Sequence, residues 1–159
     1  MSLPHLHANQ LRPAGRPAAP APWFGIECLN SASPGALRCI EAGSRAYNAD
    51  LMPRDESPLH LVVRSDGPEV VAGLLATTRW RMLEISSLWV RDDLRCLGLG
   101  GRLLRDAEAE ARRRGCGWAA AEGFSFQAVG FFLRSGYRAY AVLPGYAMNQ
   151  ARHSMRKRL

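Results

Sequence analysis

From Leu59 onward the pattern of apolar and polar positions is regular enough to divide the chain into elements. Leu59–Arg64 is rich in β-formers, and Ser65-Asp66-Gly67-Pro68 has the composition of a turn. Glu69–Thr78 and Trp80–Val90 predict two further strands, and the short connections favour antiparallel pairing. After Val90 the period changes from two to nearly four. Leu99, Leu103, Ala107 and Ala111 place one apolar stripe along a helix. Arg112-Arg113-Arg114 complements that helix's C-terminal dipole and Gly115 stops it. Further on, the pattern predicts a strand over 116–122, a helix over 127–135 stopped by Gly136, and a strand over 137–142. A loop over 144–150 and a last strand over 152–158 complete the chain. Upstream, Trp23–Leu29 reads as a short strand. Ser33-Pro34 is a helix start, and the helix 35–47 is expected to bury Leu37, Ile40 and Ala46. Residues 48–57 read as a polar loop. Strands and helices are interleaved, which predicts an α/β or α+β domain with one mixed sheet and flanking helices.

Composition narrows this picture. The chain has 159 residues, the size of one domain. Residues 1–22 are rich in Pro and Ala without periodicity and are expected to form a disordered tail, leaving 23–159 as the ordered domain. No run of 18 apolar residues is present, and the proline-rich start lacks the apolar block of a secretory signal. Cys28, Cys39, Cys96 and Cys116 have no C-x-x-C spacing, so neither a zinc site nor a disulfide framework is implied. Reduced thiols and a cytoplasmic location are the expectation. Net charge is +7, and residues 1–60 are neutral, so the whole excess lies in 61–159. A basic half attracts anions such as phosphates, coenzymes or nucleic acid, although most of the arginines are read as a solvated surface.

The segment Val90-Arg91-Asp92-Asp93-Leu94-Arg95-Cys96-Leu97-Gly98-Leu99-Gly100-Gly101-Arg102 leaves a strand and enters a helix. Glycines there let the chain turn tightly and let a bulky anion approach the backbone. The first helical N–H groups lack intrahelical partners and lie at the positive end of the dipole. Together they make an anion cradle, with Arg95 and Arg102 adding charge. The spacing is neither a P-loop, which needs a lysine, nor G-x-G-x-x-G. Three glycines within positions 98–101 would cost helix stability with no packing return, which favours a ligand-binding reason for them.

At these residues the chain resembles a family. Leu88-Trp89-Val90 followed by Arg95-x-x-Gly98-x-Gly100 is similar to the coenzyme-binding motif of the GNAT superfamily, the acetyl-CoA-dependent N-acetyltransferases. Leu103-Leu104-x-x-Ala107-Glu108, Arg114-Gly115-Cys116, Phe124-Ser125-Phe126-Gln127-Ala128 and Phe131-Phe132-x-x-x-Gly136-Tyr137 resemble one bacterial subgroup of it. The resemblance runs from about Leu37 to Leu159.

The resemblance implies a sheet whose two central parallel strands splay apart to admit the pantetheine arm of acetyl-CoA. Main-chain groups of Leu88 and Val90, with Trp89 between them, would bond that arm. The amides of Cys96, Leu97, Gly98, Leu99, Gly100 and Gly101, with the Arg95 and Arg102 side chains, would hold the diphosphate. Gln127 would touch the coenzyme. Glu84 and Glu122 are the implied candidates for the base that takes a proton from an amine acceptor. The subgroup usually carries a tyrosine, as the acid for the leaving thiolate, where this chain has Phe132. Tyr146 is the favoured substitute, ahead of Tyr137 and Tyr140. The implied activity is transfer of acetyl to a primary amine of a small molecule, peptide or protein, with no metal. A coenzyme-binding sensor without turnover is the alternative that Phe132 supports. A minor alternative is RNA, motivated by Arg152, Arg156, Lys157 and Arg158. Dimerisation, sometimes through the last strands, is common in such folds, so a homodimer is an implied possibility. No membrane is implied.

Overall fold

The computed structural model describes residues 25–49, 52 and 55–159. The expected tail lies outside the described residues. The chain divides into two compact units, one ending at Arg45 and the other beginning at Ala46.

In the first unit, residues 25–33 form no regular element, so the expected strand is absent from the described part of 23–29. Helix α1 (Pro34–Ala49), whose last four residues are counted with the second unit, starts as its sequence dictates: Pro34 fixes the first helical φ, and the Ala36 amide donates to Ser33 Oγ at 3.2 Å. None of its residues is buried. Leu37 and Ile40, expected inside, are 49% and 68% exposed.

In the second unit, β1 (Ser57–Arg64), β2 (Val70–Arg79) and β3 (Met82–Val90) form the antiparallel meander that their alternation predicts. A single 3₁₀ turn (Asp92–Leu94) leads into α2 (Leu99–Arg113). Then come β4 (Trp118–Phe124), the short α3 (Val129–Arg134), β5 (Arg138–Tyr146), a 3₁₀ turn over 147–149, and β6 (Gln150–Arg158). Much of the expected loop 144–150 is therefore strand. The sheet order is β1-β2-β3-β4-β6-β5, with β3 and β4 the parallel pair. Helix α2 lays Leu103, Leu104, Ala107 and Ala111 into the core with Leu74, Leu83 and Met155. Full burial of its two leucines stabilises the unit by about 1.5–3 kcal/mol each. Gly115 ends the helix with φ +80°, and the Arg114 guanidinium turns back to Glu110 at 2.8 Å. The three-arginine run is thus a helix end.

Two features of β3 position the site. Its pairing with β4 covers only Met82–Ile85 against Trp118–Ala121. Beyond Ile85, β3 stays paired to β2 as far as Val90, and beyond Ala121, β4 stays paired to β6 as far as Phe124. The centre of the sheet therefore opens into a fissure whose walls each keep an outer neighbour. The opening begins at a bulge: Leu75 faces Ser87 while Ala76 faces Ile85, leaving Ser86 as the extra residue. Its Oγ donates to the Leu75 carbonyl at 3.0 Å.

Candidate active site

The fissure holds two adjoining cavities that share Leu88, Trp89, Gln127 and Ala128. The inner one, about 350 Å³, is lined by Ser86, Ser87, Glu122, Gly123 and Phe132 among others. The outer one, about 680 Å³, runs to the glycine loop and is walled on its far side by Phe126, Phe131 and Arg134.

The loop is anchored at its entry. The Arg91 amide donates to the Val71 carbonyl at 2.9 Å, and the Arg91 guanidinium bonds Asp93 at 2.7 Å and 2.9 Å and Glu69 at 3.1 Å. Those bonds hold the Asp93 carboxyl below its usual range and raise Arg91 above its own. After Arg95 the backbone alternates in hand: Cys96 has φ +61°, Gly98 has φ +85°, and Leu97 between them is not left-handed. Such alternation turns successive N–H groups towards one side, a concavity suited to anions. Among the described residues, the amides of Cys96, Leu97, Gly98, Leu99, Gly100 and Gly101 make no hydrogen bond, and the first amide after them, that of Arg102, donates to the Gly98 carbonyl at 3.0 Å. Six consecutive donors and the positive end of the 15-residue α2 thus face the same problem of finding an acceptor. Gly98, at its φ, is where only glycine is comfortable. Gly100 is different: a Cβ there would sit 3.7 Å from Phe131 and 3.8 Å from Val90, ordinary contacts that the protein itself would accept.

The expected site residues are placed unequally. Leu88, Trp89, Val90, Arg95, Cys96, Gly98, Leu99, Gly100, Gly101 and Gln127 all line the outer cavity. Arg95 reaches Asp92 at 2.5 Å and the Val90 carbonyl at 3.2 Å. Leu97 contributes only its amide, since its side chain is exposed and outside the lining. Arg102 departs from expectation. It lines a separate cavity with Leu61 and Arg64 and points towards Asp106 at 3.9 Å, because one helical step past the loop carries it round α2. The Gln127 side-chain carbonyl accepts from the Phe124 amide at 2.8 Å, which fixes it against Gly123 at the neck between the cavities.

Of the two glutamates, Glu122 lines the inner cavity and Glu84 does not. Glu84 precedes the opening, in the stretch where β3 and β4 are still paired, and its carboxylate meets Arg79 at 2.5 Å. Glu122 accepts from Ser154 Oγ at 3.0 Å and pairs with Arg152. Tyr146 also sits beside Arg152, which the charge of Glu122 and these neighbours raise above its ordinary pKa. Arg152 therefore brings together Glu122 and Tyr146, which are 24 residues apart in sequence. Tyr146 packs edge-on against Phe124 and lines, with Phe126 and Met148, an apolar pocket of about 500 Å³. The bridging role of Arg152 was invisible in sequence, because it depends on the β4–β6 register that sets Phe124 opposite Arg152 and Glu122 opposite Ser154.

Phe132 is buried, lines the inner cavity and packs edge-on against Phe131 and Tyr137. Tyr137 lies in the core, where burial and then the charge of Glu108 push its hydroxyl far up. Tyr140 is exposed on β5 beside Arg156. The basic C-terminal residues are divided between the sheet's faces. Arg156 covers Trp118, and Lys157 bonds the buried Glu108 at 2.7 Å. Among the described residues, no group of three His, Cys, Asp or Glu side chains is arranged to hold a metal, and no helix is long and apolar enough to cross a membrane.

Comparison with known proteins agrees with this geometry. Blasticidin-S acetyltransferase of Streptomyces morookaense is 40% identical over 92 residues, covering 57% of this chain and 68% of that protein. A crystallised protein of Agrobacterium tumefaciens, described as an acetyltransferase, superposes with a TM-score of 0.81 at 27% identity, over 86% of this chain and 100% of that one. A Bacillus anthracis protein described as a streptothricin acetyltransferase, solved in complex with acetyl coenzyme A, shares the fold at a TM-score of 0.57 and 15% identity, over 69% of this chain and 65% of its own. Residues 29–137 match the model of the acetyltransferase (GNAT) family, and this chain is an acetyltransferase belonging to that family.

Proposed function

We propose that this chain transfers the acetyl group of acetyl coenzyme A directly to a primary amine. The observation that carries the reading is the fissure itself: a sheet opened between β3 and β4, ending at six consecutive amides without partners among the described residues. Exposed β3 main chain from Ser86 to Val90 offers hydrogen bonds to an extended amide-bearing arm, and the loop offers them to the diphosphate. Bound there, the coenzyme supplies a thioester carbonyl whose carbon the amine attacks. A main-chain N–H of β3 would stabilise the oxyanion.

An alkylamine has a pKa of about 10 and is protonated near pH 7, so it must lose a proton before attack. Glu122 is the carboxylate in place for that, directly or through one water. Its oxygens already hold Arg152 and Ser154, but each carboxylate oxygen has a second lone pair to offer. The departing thiolate needs a proton too. Phe132 cannot give one, and Tyr146, which lines the apolar pocket with Phe126 and is linked to Glu122 through Arg152, is the donor this reading assigns. Blasticidin S, the substrate in the name of the 40%-identical relative, is the first acceptor to try. The test is thiol release from acetyl-CoA against a panel of amines that includes it. Amine-dependent release that falls at least about tenfold in Glu122→Gln supports the assignment; no release with any amine refutes it.

The buried phenylalanine at 132 favours one second reading, a coenzyme-binding sensor that does not turn over. Saturable acetyl-CoA binding without thiol release would select it.

A further inference from the structure

We infer that Arg134 holds a phosphomonoester, the 3′-phosphate on the ribose of the coenzyme, and so makes the site selective for coenzyme A over its 3′-dephospho form. The inference rests on the coenzyme reading above.

Arginines around the glycine loop are mostly committed elsewhere. Arg91 is clamped between Asp93 and Glu69. Arg95 is held by Asp92 and the Val90 carbonyl. Arg102 belongs to another cavity. Arg134, on α3, lines the outer cavity, and among the described residues it has neither an ion pair nor a hydrogen bond. Its guanidinium folds back along its own helix, with Nη1 3.3 Å from the point where a Cβ on Gly130 would stand. A Cβ at 130 would oblige the guanidinium to shift by a few tenths of an ångström.

The cavity thus carries anion-binding groups on two walls. The amides of the loop lie on the α2 side and Arg134 on the α3 side, with Phe126 and Phe131 as apolar surface on the Arg134 wall. A ligand with one phosphate group at each end of a less polar middle fits that layout. A coenzyme with its diphosphate on the loop and a separate phosphomonoester on its ribose has this form. A phosphomonoester carries about −1.5 to −2 charge at pH 7 and three acceptor oxygens. A guanidinium matches two of them with its planar fork, which an ammonium cannot do.

The test is calorimetric titration of the wild type, Arg134→Gln and Arg134→Lys with coenzyme A and with 3′-dephospho-coenzyme A. Arg134 is exposed, so both variants should keep the wild-type melting temperature. The wild type is expected to prefer coenzyme A by about tenfold to hundredfold, the range of a charge-assisted hydrogen-bond pair. Arg134→Gln should lose that preference while binding the dephospho form as the wild type does, and Arg134→Lys should keep part of it. If Arg134→Gln weakens both ligands equally, or neither, the assignment of the 3′-phosphate is wrong. A wild type that binds both ligands equally overturns this inference alone. A wild type that binds neither overturns the coenzyme reading with it.

Discussion

Gly100 gives the sharpest test of why the loop has its sequence. Glycine at a helical position costs about 0.8–1.0 kcal/mol against alanine, and alanine substitution at a tolerant site returns about 0.4–1 kcal/mol. The geometry is tolerant here: the added Cβ meets Phe131 at 3.7 Å and Val90 at 3.8 Å, with nothing closer. Gly100→Ala should therefore raise the melting temperature of the free protein by about 1–4 °C. Both contact residues also line the outer cavity, so the new methyl takes space beside the unpaired amides. Coenzyme affinity should fall, and a tenfold fall is a modest expectation. Ligand at 100 times the wild-type Kd stabilises the wild type by about 2.7 kcal/mol, and the variant, at ten times its own Kd, by only about 1.4 kcal/mol. The substitution thus gains stability without ligand and loses that gain, or more, with it. Differential scanning fluorimetry across a coenzyme titration reads both effects in one plate. A variant that melts below the wild type when free would show a steric conflict the geometry denies. One that binds the coenzyme as tightly would show that the glycine does not serve the ligand.

Other expectations follow from the core and the inner cavity. Phe132→Tyr, which places a hydroxyl in the inner cavity, should raise thiol release by about 10²-fold if proton donation limits turnover; an unchanged kcat would assign the donor elsewhere. Lys157→Met should cost about 3 kcal/mol in urea unfolding, because it removes the cation closest to the buried Glu108 carboxylate and leaves Arg112 at 3.8 Å and the neutral Tyr137 hydroxyl beside it. Adding Glu108→Leu should recover most of that loss, and a double variant no better than the single one would contradict the account. Tyr137 ties stability to alkaline pH. Its folded pKa is raised by burial, so the unfolded chain ionises it from about pH 10 while the folded chain keeps it neutral. Its contribution is complete below pH 10 and lost above it. Melting temperature should fall more steeply between pH 10 and 11 in the wild type than in Tyr137→Phe, and identical slopes would count against the burial of the hydroxyl.

The elements legible in the sequence were those whose signal is local. Helix α2 announces itself through Leu99, Leu103, Ala107 and Ala111, and the β1–β2 turn through Ser65-Asp66-Gly67-Pro68. Residues 25–29, the described part of the expected strand 23–29, form none because β-propensity needs a neighbouring strand to act on, and they have none among the described residues. The turn after Tyr146 was read too long, since Met148 and Asn149 take left-handed φ values and close it in three residues. At the site, the loop could be found from spacing alone, whereas the departure of Arg102, the isolation of Glu84 and the bridge through Arg152 depend on helix phase and strand register. Such facts are fixed only once the sheet has assembled.

The open stretch of β3 has a length, and that length acts as a gauge. Ser86 to Val90 is five residues, so at about 3.3 Å each it measures roughly 16 Å from the seam to the loop. Glu122 sits at one end of this interval and the Cys96–Gly101 amides at the other. In the proposed reaction, a donor anchored at the loop would deliver its acyl carbon beside the carboxylate only if its arm spanned that interval. Sliding the Ser86 bulge two residues along the strand would reset the gauge by about 7 Å and strand the reacting atoms without altering a single side chain at either end.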